Sequence, residues 1–175
     1  DRRLGELRAL TTLFATRPDG VILDQAVPAA MGLPSLGRCA DAETLLAAYP
    51  PPDDAAARAE VDALRPRLDE IAALDLAGKY ADGLALAMAA ADDAARVAWP
   101  PIHAQALFWR GQLQARTGDA ATAATTFERA VMRAAEARDD ALLLRAATQR
   151  VYVLGFQLGR TDEALTIGAM LDPLV

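Results

Sequence analysis

The side chains best suited to chemistry are few and far apart. One cysteine, Cys39, and one histidine, His103, lie 64 positions apart (103 − 39). A zinc site needs clustered Cys and His ligands at short spacings, and this pair does not supply them. A Cys–His nucleophilic couple needs a third group to orient the histidine, and no spacing in the sequence suggests one. Cys39 therefore reads as a small buried hydrophobe, with redox sensing as the alternative. His103 falls in the first turn of a helix after Pro100-Pro101 and reads as an ordinary surface or groove side chain. Carboxylates occur as neighbours at Asp53-Asp54, Asp92-Asp93 and Asp139-Asp140. Adjacent residues on a helix point about 100° apart, so such pairs do not converge as acid and base. The first and last pairs stand at helix starts, where capping and the helix dipole account for them. The middle pair reads as a solvated face. No Gly-x-Gly-x-x-Gly or phosphate loop is present. With neither metal, cofactor nor catalytic constellation indicated, the leading expectation is a function carried by a surface.

Bulk properties narrow the surface's partner. Hydrophobic residues make up 53% of 175, enough for a buried core, while aromatics are only 5%. Alanine is abundant, no period-2 strand segment stands out, and the class is therefore all-α. The net charge of −6 argues against nucleic acid or an anionic membrane, because both select a basic face. Lys79 is the only lysine among the basic residues. A lone cysteine excludes an intrachain disulfide and fits a reducing, cytoplasmic compartment. No apolar run reaches the roughly 18 residues of a membrane span, and no signal peptide is evident. The chain begins at Asp1 already in a helical pattern and is expected to be a piece of a longer protein.

The elements that must build the surface repeat. Gly78-Lys79-Tyr80-Ala81, Gly118-Asp119-Ala120-Ala121 and Gly159-Arg160-Thr161-Asp162 open similar phrases, with glycines 40 and 41 residues apart (118 − 78, 159 − 118). A fixed period of this size between helical stretches marks stacked helical hairpins. Three are expected over 54–175, pairing 54–77 with 79–98, 101–117 with 119–138, and 140–158 with 160–172. Each glycine takes the left-handed turn that ends a helix. Upstream, residues 1–49 form an N-terminal helical segment. It comprises a helix over 4–16, a helix over about 22–31 kinked at Pro28, an irregular connection and a short helix over 41–49. Pro50-Pro51-Pro52 gives a stiff linker at 50–53. Pro66 is expected to kink the first long helix or make it restart.

The middle hairpin carries a family pattern. Leu107, Gly111, Ala123, Phe127 and Ala130 stand in the register of a tetratricopeptide (TPR) repeat, which this region resembles. Gly111 and Ala123 are small where two helices would cross, Phe127 is the knob beside the crossing, and Ala130 admits the next hairpin. The outer hairpins keep small residues (Gly83, Ala87 and Ala90; Ala164 and Gly168, with Leu171) but lack the knob. The period also exceeds the usual repeat of about 34 residues, so the helices are longer by about a turn. The N-terminal third, with Asp1-Arg2-Arg3-Leu4-Gly5-Glu6-Leu7-Arg8-Ala9-Leu10, Ala26-Val27 and Cys39-Ala40-Asp41, resembles the segment after the catalytic domain in large bacterial serine/threonine kinases of the myxobacterial type. None of the kinase's own motifs is present.

The resemblance implies a TPR-like right-handed superhelix of antiparallel hairpins whose concave groove is lined by the first helix of each. The groove set would be Arg65, Leu68 and Ala72, then Gln105, Phe108, Gln112 and Arg116, then Gln149, Val153 and Phe156. Phe108 is the sharpest of these, expected to stand exposed beside Gln and Arg, whereas Trp109 reads as core. The positions where carboxylate-clamp TPR domains carry Lys and Asn hold Leu68, Phe108 and Gln149, then Ala72, Gln112 and Val153, which disfavours that specificity. The implied function is a non-catalytic protein–protein interaction scaffold, the regulatory region of a kinase, that takes a protein or peptide in the groove. The C-terminal edge would be covered by further repeats or by a second copy in a homodimer. Two alternatives are a helical ligand-sensing or enzymatic domain, which needs an enclosed pocket, and a helical module of a transcriptional regulator.

Overall fold

The computed structural model describes residues 2–33 and 49–171. Cys39, the connection at 34–40, the short helix expected at 41–49 apart from its last residue, and the end of the last expected helix lie outside the described residues. Every regular element among the described residues is a helix.

The N-terminal segment contributes α1 (Arg2–Thr16), α2 (Gly20–Asp24) and α3 (Ala26–Met31). Asp19 caps α2 by accepting from the Ile22 backbone N–H at 2.9 Å. The expected second helix is thus two, broken at Gln25 rather than kinked at Pro28. Pro28 stands third in α3, where a backbone N–H has no intrahelical acceptor anyway, so the ring displaces nothing.

Three hairpins follow. They pair α4 (Ala55–Leu76) with α5 (Tyr80–Val97), α6 (Pro100–Arg116) with α7 (Ala120–Glu136), and α8 (Asp140–Tyr152) with α9 (Thr161–Leu171). Helix α4 runs unbroken through Pro66. Asp54 caps α4 through the Ala57 N–H at 2.8 Å, so of the neighbouring carboxylates at 53 and 54 one has a capping task.

The turns explain the period. At Gly118 the Asp119 N–H reaches back to the Gln114 carbonyl and the Gly118 N–H to that of Ala115, the Schellman closure of a helix end. It demands a left-handed residue, and Gly118 has φ +94°. Asp119 then accepts from the Thr122 N–H, so one aspartate closes α6 and opens α7. Asp139 does the same between α7 and α8, bonding to the Ala134 carbonyl and accepting from the Leu142 N–H. The left-handed position there is Arg138, at φ +54°.

The third interval is one residue longer because α8 does not stop at Tyr152. It continues as a π-helical turn, Val153–Gln157, closed by the Leu158 N–H on the Val153 carbonyl. Helix α6 has 17 residues, whereas α8 and its π turn have 18 (13 + 5). A π turn is the standard way for a helix to absorb one extra residue without losing register at either end.

Packing follows chain order. Each hairpin's helices pack on each other, α5 on α6 and α7 on α8 join the hairpins, and α4, α6 and α8 touch along one side. Small residues let the axes approach. A β-carbon on Gly111 would lie 3.1 Å from the Phe127 ring, and one on Gly83 3.1 Å from Leu113. Phe127 and Ala123 are fully buried. Thr126 donates to the Gln114 side chain at 2.7 Å inside the same interface, fixing the register of α6 on α7. The N-terminal segment joins the stack through α1 and α3 on α4, with Leu10, Leu13, Ile22 and Ala29 buried against Ala73, Leu74 and Ala77. The proline linker is tied down as well, because the Trp99 Nε1–H donates to the Pro50 carbonyl.

Candidate functional site

The side shared by α4, α6 and α8 is a groove. It holds a cavity of about 380 Å³ whose lining includes Ala72, Asp75, Phe108, Trp109, Gln112, Arg145 and Gln149. Glu6 of α1 and Gly32 after α3 border it, so the N-terminal segment closes one side. A shallower recess of about 190 Å³ lies beside it, lined by Arg65, Leu68, Gln105 and Trp109. A third, of about 250 Å³, gathers Gln112, Arg116, Gln149, Tyr152 and Gln157.

Eight of the ten residues expected in the groove thus line these three spaces: Arg65, Leu68, Ala72, Gln105, Phe108, Gln112, Arg116 and Gln149. Val153 and Phe156 do not. Val153 is fully buried in the π turn, and Phe156 is 77% exposed, stacked on Tyr152 with ring centroids 5.2 Å apart. The cause is one residue of register. Carrying the middle hairpin forward by 41 puts 112 onto Val153. The extra residue is held in the π turn, so α8 ahead of it aligns by 40. That shift puts 105, 108 and 112 onto Arg145, Thr148 and Tyr152, which line the groove together with Leu144 and Gln149. It also puts buried Leu113 onto buried Val153.

Phe108 corrects a second expectation. It is only 4% exposed, with Trp109 edge-on at 5.3 Å, Phe127 at 6.0 Å and the Arg145 guanidinium 4.5 Å above its ring. Its ring is therefore packed into the cavity wall, and Arg145 covers the face that a bare groove would expose. Trp109, expected in the core, is only half-buried and lines both the cavity and the neighbouring recess.

Asp75 is a largely buried carboxylate of the cavity lining. Its side chain is 10% exposed, the Arg116 Nε lies 3.8 Å from Oδ1, and Oδ1 accepts no hydrogen bond. Burial pushes its carboxyl above the ordinary range, against the pull of Arg116 and of a hydrogen bond from Gln112. Sequence reasoning missed Asp75 although the signal was there: Leu68, Ala72 and Asp75 form an i, i+4, i+7 stripe. Nothing in the repeat pattern pointed to Glu6, which belongs to α1.

His103 is also placed differently from expectation. It is 9% exposed, and its Nε2 lacks a hydrogen bond. Residues 103, 107 and 111 share one face of α6, the face that crosses α7, so the position is interfacial. Burial first, then Arg133 and Arg129, holds its pKa below the usual value. Asp92 and Asp93, read as a solvated face, are exposed and half-buried respectively, and they also bridge helices. Asp93 pairs with Arg67 of α4 and with Arg96, and Asp92 lies 3.5 Å from Arg110 of α6. Arg67, more than Arg96, draws the Asp93 carboxyl below its ordinary pKa. Among the described residues no three His, Cys, Asp or Glu side chains come together as a metal site, and no helix is long and apolar enough to cross a membrane.

Comparison with protein-family models, curated proteins and solved structures found no match for this chain.

Proposed function

We propose that this chain is a non-catalytic, TPR-like protein-interaction module that receives a peptide along the side formed by α4, α6 and α8. The observation that carries the proposal is the groove itself. First helices of successive hairpins supply a continuous run of recesses with half-buried Trp109, the amides of Gln105, Gln112 and Gln149, and Arg116. Aromatic and arginine side chains in such a setting are the usual anchors of an interface. On the kinase resemblance of the N-terminal third, the module would belong to the cytoplasmic regulatory region of a bacterial serine/threonine kinase and would recruit a substrate or partner. Self-association through α9 is the accompanying proposal: Leu165 and Met170 of α9 are 66% and 68% exposed.

A displayed random-peptide library panned on the purified chain supplies a ligand for the test. Its affinity is then measured for the parent, for a Gln112→Ala/Gln149→Ala groove variant, and for an Arg129→Ala/Met132→Ala variant on exposed α7. The groove variant should bind at least 10-fold more weakly and the α7 variant equally well. Equal affinity for parent and groove variant would refute the assignment. A ligand-sensing domain is the competing reading, favoured by the cavity's closure on the Glu6 side. It is supported instead if small molecules, but no peptides, protect the chain against thermal unfolding.

A further inference from the structure

The central cavity has an unusual lining for an interaction groove. Two acidic side chains border it, both largely buried: Glu6 is 7% exposed and the Asp75 side chain 10%. The aromatic rings of Phe108 and Trp109, 5.3 Å apart, line the same cavity. Carboxylates beside aromatic faces in a partly desolvated space favour a cation, and a planar guanidinium most of all, since it stacks and hydrogen-bonds at once. The protein already puts one there. Arg145 reaches from α8 to hold its guanidinium 4.5 Å above Phe108. Its side chain is long, and the residue is exposed on its helix. Displacing it would give up its contacts at the cavity and return its charge to water, where a long flexible side chain is readily hydrated.

We propose that the cavity is a receptor for an arginine side chain of the bound peptide, and that Arg145 is a built-in competitor which the peptide's arginine displaces. This inference rests on the groove being the binding surface and names the chemistry of its occupant. Asp75 and Glu6 supply the counter-charge, and Phe108 supplies the stacking face. Gln112 and Gln149 at the rim accept from the peptide backbone or the guanidinium. The chain's net charge of −6 adds a long-range attraction for basic segments.

The test uses two peptides, Ac-Ala-Arg-Ala-Ala-NH2 and the same sequence with neutral citrulline in place of arginine. Trp109 fluorescence reports binding in a Trp99→Phe background. The arginine peptide should bind at least 10-fold more tightly than the citrulline peptide. Arg145→Ala should tighten it at least threefold by emptying the slot, whereas Arg145→Lys should not. Asp75→Asn, added to Arg145→Ala, should weaken it at least fivefold while circular dichroism shows the helices intact, and Glu6→Gln gives a second, independent loss. Equal binding of the two peptides, or weaker binding by Arg145→Ala, would overturn the inference. If acidic or apolar peptides bind through Gln112 and Gln149 while arginine gives no advantage, the arginine slot is refuted and the groove stands. If no peptide binds the groove, both fall.

Discussion

Gly111→Ala should destabilise the parent protein and stabilise a Phe127→Ala variant. In a helix interior alanine is better than glycine by about 1 kcal/mol, so the substitution alone favours folding. At this crossing the new methyl would stand 3.1 Å from two atoms of the Phe127 ring and 3.2 Å from a third. The ring has no easy retreat: it is fully buried, with Phe108 at 6.0 Å on one side. Overpacking of this kind costs about 2 kcal/mol, which leaves a net loss of about 1 kcal/mol. Once Phe127 is alanine the obstructing atoms are gone. The methyl enters the cavity they leave and gains about 0.8 kcal/mol of burial on top of the propensity term, a net gain of about 2 kcal/mol. The coupling between the sites is therefore about 3 kcal/mol. Urea unfolding of the four proteins, followed by circular dichroism, measures it. Because Phe127→Ala itself costs about 3–5 kcal/mol, all four are compared in the same stabilising osmolyte. A gain from Gly111→Ala in both backgrounds, or a coupling below about 0.5 kcal/mol, would refute the close crossing of α6 and α7.

Two further substitutions probe separate features. Asp75→Asn should raise the thermal midpoint at neutral pH and leave it unchanged at acid pH. The Asp75 carboxyl is raised in the folded state, chiefly by burial, so its favourable contribution is complete only below the unfolded-state pKa of about 3.9 and is lost as pH rises through the folded value. Melting curves across pH decide it, and a midpoint lowered at neutral pH would mean that the Arg116 pairing outweighs burial. Arg138→Gly should stabilise by about 1 kcal/mol, since Arg138 holds φ +54° at a Schellman position where glycine has no Cβ penalty. The converse Gly118→Ala, at φ +94°, should cost about as much, and equal melting temperatures for parent and variants would contradict the left-handed turns.

Much of the fold was legible because its strictest demands fall on residues with few substitutes. Left-handed turns select glycine at 78, 118 and 159, and the crossing selects small residues at 83, 111 and 123. The same reasoning missed Ala98 and Arg138, which adopt φ +54° although their types do not announce it. The groove was legible on α4 and α6, where the 3.6-residue stripe runs uninterrupted. On α8 it found Gln149 but failed for Val153 and Phe156, because the period of 41 does not say where the added residue sits. That residue lies in the π turn, so Val153 points into the core and Arg145, Thr148 and Tyr152 take the groove positions. The burial of Phe108 was out of reach for another reason. Its cover, Arg145, comes from a helix 37 residues on (145 − 108), and side-chain reach across a groove leaves no periodic trace.

The aspartates that end one helix and cap the next bear on how such a chain can change length. In most domains insertions collect in loops, which have slack to absorb them. Here Asp119 and Asp139 serve two helices each, so an added residue beside either would uncap a helix on one side or open the Schellman closure on the other. The π turn shows the route left open. A residue gained inside α8 is taken up by one wider turn, at the site where Gly155 passes 3.3 Å from Ala164 for an added β-carbon. Lineages of this protein should therefore carry their insertions and deletions within helices and keep their turns at constant length, with groove side chains shifting by one position whenever they do.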